Sequence, residues 1–325
     1  MTETAALQDI VYALAASPGF AQDGICFAAR ASGLYRSDDS GATWRFAYKS
    51  LNLSEPLITM AVAVSPDFST DQTVFAGVPG GILSSGDGGQ SWQIVEFPAP
   101  PPVVSSLAIS PHYADDGLVL AGTLEDGVFL SANRGQHWGV WNFGLFDPHI
   151  LCIALSPDFK RDRTVFVGTE TGLFRSSNGG RSWQDMALPV EDAVLSLAIS
   201  PGCAGDRMAL IGTEGQGLFS SQDEGGAWQR LGESLAMEAI NAIIVSAEFS
   251  SKPDILVLLN DNLLISHDRG KSWVGAQQEL DLTQGATSLV APQGLAPNAP
   301  LLVGLVESGI GRARLSYLSK SVTLP

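Results

Sequence analysis

Short apolar runs alternate along the whole chain with clusters of Gly, Ser, Asp, Asn and Pro, and the alternation repeats. One phrase reads VYALAASPGFAQDGICFAAR over 11–30, ITMAVAVSPDFSTDQTVFAGV over 58–78 and VSSLAISPHYADDGLVLAGT over 104–123. It returns as ILCIALSPDFKRDRTVFVGT (150–169), LSLAISPGCAGDRMALIGT (195–213), NAIIVSAEFSSKPDILVLLN (241–260) and, more weakly, TSLVAPQGLAPNAPLLVGLV (287–306). A second phrase of eight residues, closed by Trp, follows six of these seven: SDDSGATW (37–44), SGDGGQSW (85–92), SANRGQHW (131–138), SSNGGRSW (176–183, one Ser further in at 177), SQDEGGAW (221–228) and SHDRGKSW (266–273). Its pattern is Ser-x-Asp/Asn-x-Gly-x-Ser/Thr-Trp. The closing tryptophans step by 48, 46, 45, 45 and 45 residues. A fixed period of this size marks a repeat architecture.

Each unit predicts four strands. Strand A is the apolar run before Ser-Pro, as in 195–200, and Pro ends it because it has no N–H for a ladder. Strand B is an almost continuous apolar run, as in 164–168, suited to burial on both faces. Strand C starts after a Gly, as in 172–176. The Trp motif makes the C–D turn, and strand D follows the Trp. Connections this short give antiparallel meanders. One such meander cannot bury both of its faces, whereas seven set radially cover one another and leave few open edges. The expected fold is therefore all-β: a seven-bladed β-propeller of four-stranded antiparallel blades filling residues 1–325 as a single domain. The blades run approximately over 8–50, 51–98, 99–145, 146–189, 190–235, 236–280 and 281–325. The last unit, SGIGRARLSYLSK over 308–320, keeps a strand and lacks the Trp motif. Its fourth strand is expected from 317–325, with 2–7 as the alternative.

The Trp motif reads as turn chemistry. An Asp or Asn side chain accepts backbone N–H groups of its own turn. The Gly two positions later permits positive φ. The Trp buries a large apolar body between blades. The residues in question are Asp39, Trp44, Asp87, Trp92, Asn133, Trp138, Asn178, Trp183, Asp223, Trp228, Asp268 and Trp273. Asn at 133 and 178 suits a hydrogen-bonding role better than a charged one. The motif resembles the Asp-box, or BNR repeat, and with the Ser-Pro-Asp-Phe phrase the resemblance covers essentially the whole chain. That superfamily includes sialidases, xyloglucanase-type glycoside hydrolases, the sortilin luminal domain and the photosystem II assembly factor family. The resemblance implies the propeller fold far more firmly than any one activity.

Composition narrows the function. Eighteen Lys and Arg against 34 Asp and Glu leave a formal charge of −16. That disfavours nucleic acid and anionic membrane surfaces and allows a basic partner, a cation or a neutral ligand. The three cysteines, Cys26, Cys152 and Cys203, form no CxxC, so neither a disulfide framework nor a zinc site is expected. The four histidines, His112, His137, His149 and His267, lack metal-ligand spacing. No cofactor or metal is expected. The N-terminal stretch has neither a basic segment nor a long apolar core, and no apolar run is long enough to span a bilayer. The default expectation is a cytoplasmic location.

With strand A innermost, the D–A and B–C connections share one face, opposite the Trp motifs. That face carries Glu125, Asp126, Glu170, Glu191, Asp192 and Glu214 and is expected to be acidic. One D–A connection adds Trp141, Phe143 and Phe146 before Asp147 and His149, a candidate edge for stacking on a sugar or a peptide side chain. These eleven residues are the candidate site; none is assigned as catalytic. The resemblance to sialidases would require an arginine triad, a Tyr–Glu nucleophile pair and, as a rule, an FRIP-like segment; the chain has no such segment, Arg30 is the only arginine of the B–C loops, and Arg36 and Arg175 stand before Trp motifs, so a sialidase is not expected. The glycoside-hydrolase resemblance would require two carboxylates across a cleft; those enzymes resemble two propellers clamped together. The expected function is a non-enzymatic binding or assembly scaffold offering the acidic face to a protein partner, basic in charge. The alternative is a carbohydrate-binding or glycoside-hydrolase-like propeller using the same face, and a third is a structural body in a larger assembly.

Overall fold

The computed structural model describes residues 8–97, 100–201, 208–277, 280–307 and 309–317. Seven antiparallel sheets stand in a ring, a seven-bladed β-propeller as the repeat predicts. Their innermost strands are Val11–Ala16, Ala61–Val64, Val104–Ile109, Ile150–Leu155, Val194–Ile199, Ala242–Val245 and Ala286–Val290. Blade four is representative: strand A is Ile150–Leu155, B is Val165–Thr169, C is Leu173–Ser176 and D is Gln184–Met186, each pairing with the next.

The A–B connection is more ordered than a loop. In blades one to four it contains a single α-helical turn, Phe20–Asp23, Phe68–Asp71, Tyr113–Asp116 and Phe159–Asp162. The hydroxyls of Ser17, Ser65, Ser110 and Ser156 donate to the closing aspartates at 2.6–2.7 Å. The same carboxylates accept the N–H two residues further on, at 2.8–3.0 Å. The aromatic that opens each turn is buried, which anchors the connection to the blade.

The core is divided among the blade interfaces. Each pair of neighbouring blades encloses one apolar cluster, and seven such clusters close the ring. The seam between blades seven and one holds Leu302 against Phe20, Cys26 and half-buried Trp44. Burial pushes the Cys26 thiol up to about 12, as expected for a cysteine that acts as a small apolar side chain. Near the channel the blades come very close. Cβ atoms placed on Gly77, Gly122, Gly168, Gly212 and Gly304 of the B strands would lie 2.4–2.7 Å from Val104, Ile150, Val194, Ile240 and Val11 of the following blade. Side chains at the start of strand A then tie blade to blade: Ser105 Oγ donates to the Ile150 carbonyl (2.6 Å), Ser196 Oγ to Ile240 (2.6 Å) and Asn241 Nδ2 to Ala286 (2.7 Å). Thr287 Oγ1 donates to the Val11 carbonyl and so ties the last blade to the first.

Blade seven departs from the others. Among the described residues it has three strands, Ala286–Val290, Pro300–Leu305 and Ile310–Arg314. The chain then forms Ser316–Tyr317, which pairs with the outer strand of blade six, Val274–Gln277. Tyr317, expected to begin the fourth strand of blade seven, thus joins the neighbouring blade. Residues 318–325 and 2–7 lie outside the described residues, as does Cys203.

Candidate functional site

The C–D turns close on themselves. In all six, the first Ser donates to the Asp or Asn Oδ1 at 2.7–2.9 Å and accepts the glycine N–H at 2.8–2.9 Å. Oδ1 also accepts the N–H four residues on, at 2.8–3.0 Å. His137 fills the hydroxyl slot of its turn, with Nδ1 2.8 Å from Asn133 Nδ2. The Trp side chains pack in the interfaces: Trp92 meets Tyr48 edge-on with ring centroids 5.4 Å apart, and Trp228 meets Phe166 at 6.4 Å. Arg36 Nε donates to the Gly88 carbonyl of the next blade's turn (2.9 Å), and Arg175 pairs with Glu224 of the next blade's turn (2.9 Å). The Ser hydroxyl and the Asp or Asn Oδ1 of each turn are thus used within the turn, while Nε1 of Trp44, Trp92, Trp228 and Trp273 is buried with no hydrogen-bond partner among the described residues.

The same turns lie beside the A–B helical turns: the N–H groups of Ser40, Gly88, Arg134 and Gly179 donate to Gly24, Gln72, Gly117 and Arg163. The D–A and B–C connections therefore meet on the opposite face, where the sequence places its acids. There the acids divide into two groups. Asp147 is buried, and its Oδ2 accepts the Thr171 N–H (2.9 Å) and hydroxyl (2.7 Å) of the B–C turn. Asp192 accepts the Gly215 N–H (2.8 Å). Asp9 accepts the N–H and hydroxyl of Ser32 (both 2.9 Å) and pairs with Arg30 (2.7 Å). These three latch a D–A connection to a B–C turn. Burial acts to raise the Asp147 carboxyl, and the hydrogen bonds from Thr171 and His149 outweigh it and hold the group well below the usual carboxylate range.

The second group is free. Glu125, Asp126, Glu170, Glu191 and Glu214 are exposed, and no ion pair engages them among the described residues. His149 stands among them. Its Nδ1 lies 2.9 Å from Asp147 Oδ1. That hydrogen bond, with the charges of Glu170, Asp147 and Glu125, raises its affinity for a proton.

The aromatic connection also divides. The Trp141 ring is half-buried in the interface of blades three and four, with the Arg181 guanidinium 6.0 Å from its centroid. Its carbonyl accepts Trp183 Nε1 at 2.6 Å. Phe143 and Phe146, by contrast, are 81% and 84% exposed, beside Val140 at 59%. The loop joins Glu125–Asp126 on one side, through Asn142 Nδ2 to the Asp126 carbonyl (2.8 Å), and Glu170–Thr171 on the other, through Asp147. The structure thus brings together Glu125, Asp126, Phe143, Phe146, Asp147, His149 and Glu170. Glu191, Asp192 and Glu214 belong to the next stretch of the same face.

Sequence reasoning did not find one further feature. A groove of about 840 Å³ opens at the seam of blades seven and one, lined by Phe20, Ser40, Asn298, Leu302, Arg312 and Arg314. Its only sequence signal is the lost Trp motif near 308–320. Among the described residues, no group of three or more His, Cys, Asp or Glu is placed to hold a metal, and no helix is long and apolar enough to cross a membrane.

No known family description and no curated protein matches the chain. Solved structures do resemble it. The extracellular domain of the one-component system BT4673 of B. thetaiotaomicron superposes with a TM-score of 0.71 at 18% identity, over 96% of this chain and 39% of that one. YCF48 bound to D1 peptide gives 0.69 at 14% identity, over 95% and 94%. The GH74 enzyme of Niastella koreensis gives 0.72 at 14% identity, over 94% and 53%. The chain spans about two fifths of the first and about half of the last. At these identities the likeness shows the fold alone.

Proposed function

We propose that this chain is a non-enzymatic binding or assembly propeller that offers its acidic loop face to a protein partner, and that its six C–D turns are Asp-boxes. The observation that carries the reading is the division of the acids. Asp9, Asp147 and Asp192 are consumed by the scaffold, while Glu125, Asp126, Glu170, Glu191 and Glu214 keep exposed carboxylates on a face held rigid by those latches. Unpaired charge on a preorganised surface steers and selects an oppositely charged partner. YCF48, which this chain matches over nearly its whole length, is bound to a peptide, and that supports a protein partner.

A carbohydrate reading has its own support in exposed Phe143 and Phe146, which offer faces for stacking on sugar rings, and in the likeness to a GH74 enzyme. The two readings separate in one experiment. Partners are captured from the native host with the parent chain and with a variant carrying Glu125→Gln, Asp126→Asn, Glu170→Gln, Glu191→Gln and Glu214→Gln, alongside a glycan array and hydrolysis assays. The expected result is loss of specific partners on neutralisation and no glycan signal. Partners retained at full yield by the neutralised variant would sink the acidic-face proposal; glycan binding or turnover would replace it with the carbohydrate reading.

A further inference from the structure

We infer that Phe143 and Phe146 anchor the occupant of this face, and that the occupant is a basic segment of a partner protein carrying apolar side chains that cover the two rings. The inference rests on the acidic-face reading and specifies the partner's chemistry.

Three observations converge on it. First, the rings are exposed on a loop whose backbone is tied down. Trp183 N donates to the Phe143 carbonyl (2.8 Å), Trp183 Nε1 to Trp141 (2.6 Å) and Leu145 N to Asn142 (2.9 Å). Asn142 Oδ1 accepts the Val128 N–H (2.8 Å). Gly144, at φ +82°, passes so close to blade four that an added Cβ would lie 2.2 Å from the Trp183 carbonyl. The two rings therefore stand on an ordered support. Binding against them sacrifices little backbone freedom, which is the condition for a strong anchor.

Second, Val140, Phe143 and Phe146 are all exposed within seven residues of one connection between blades three and four, and large apolar side chains left in water this close together in the chain point to an interaction site. Third, carboxylates dominate the surrounding charge, and His149 among them is engaged by Asp147. Glu125, Asp126 and Glu170 flank the loop, and the nearby cation, Arg181, already lies over the Trp141 ring. An acidic segment is repelled here. A purely basic one leaves the rings in water. A neutral ligand leaves three carboxylates unanswered. A segment that alternates Lys or Arg with aliphatic side chains answers both.

The test uses the full chain and two synthetic peptides of equal length and charge, one of Lys and Leu, the other of Lys and Ser. Affinities are read by fluorescence polarisation. The Lys–Leu peptide is expected to bind more tightly. Phe143→Ala with Phe146→Ala should weaken that peptide roughly tenfold or more and leave the Lys–Ser peptide unchanged. Glu125→Gln with Asp126→Asn and Glu170→Gln should weaken both. Because both rings are exposed, the double Phe variant should melt with the parent, which removes misfolding as an explanation. A Phe variant that keeps the full Lys–Leu preference, while neutralisation abolishes binding, overturns the anchor and spares the acidic face. Indifference to both sets of changes overturns the two together. Concentration-dependent self-association of the parent that the Phe variant loses would assign the anchor to a second copy of this chain and also overturn the inference.

Discussion

A single carboxylate in a C–D turn does its work through hydrogen bonds. Asp39 receives the Thr43 hydroxyl (2.6 Å) and N–H (2.8 Å), and these hold its carboxyl well below the usual range. Asp223 is lowered mainly by the Ala227 N–H. Asp87 and Asp268 are lowered too, against opposing burial, by the hydroxyls of Ser91 and Ser272. The sign follows from linkage. A carboxyl with a depressed folded pKa contributes stability that is present above its unfolded value, about 3.9, and lost as pH falls through the folded one. The ring is therefore expected to lose thermal stability progressively below about pH 4. Asn178 shows what the charge is not needed for: its Nδ2 donates to Ser182 Oγ (2.8 Å) while Oδ1 keeps the N–H of the turn. Asp39→Asn should accordingly melt near the parent at neutral pH and lose some of the acid sensitivity, whereas Asp39→Ala should melt lower at both. Melting curves across pH, followed by circular dichroism, decide this. Equal melting of the Ala and Asn variants would remove the hydrogen-bonding account.

Strands and turns were legible in the sequence because their signals are local. The Ser, the Asp and the Gly that shape each C–D turn lie within a few residues of one another. The A–B helical turn was less legible, since Ser-Pro-Asp-Phe reads as a strand end. The informative residue is the later aspartate, Asp23, Asp71, Asp116 or Asp162, which accepts from the Ser six positions back. The glycine of strand B also escapes a pattern of apolar runs, because its reason lies in the next blade. An added Cβ on Gly212 would sit 2.5 Å from Ile240 Cβ and 2.4 Å from Ser196 Oγ. Gly212→Ala is expected to destabilise by about 1–3 kcal/mol through overpacking, read from urea unfolding. An unchanged midpoint would mean that the blades can separate without cost, contrary to the packing described.

For the whole molecule, the seam between blades seven and one is the element that makes a row of sheets into a ring. Among the described residues it contains fewer buried apolar side chains than the other interfaces, and it carries the groove with Arg312 and Arg314. Leu302, 1% exposed, is the one buried side chain that blade seven gives to this apolar cluster among the described residues. Leu302→Ala should cost about 2–5 kcal/mol, read by chemical denaturation, and a loss well under that range would show that closure rests elsewhere. Sequence alone determined the number of blades, their strand order and the local shape of the turns. All of these follow from short-range periodicity, in which each hydrogen bond or apolar pair recurs at a fixed small offset. Only the tertiary structure decided which acids remain free, that Trp141 is half-buried while Phe143 and Phe146 project, and that Tyr317 joins blade six. Asp147 looks like Glu125 in a list of loop carboxylates. It differs because Thr171, 24 residues on, is folded against it, and burial of one charge by a distant N–H is a property of the ring rather than of the repeat.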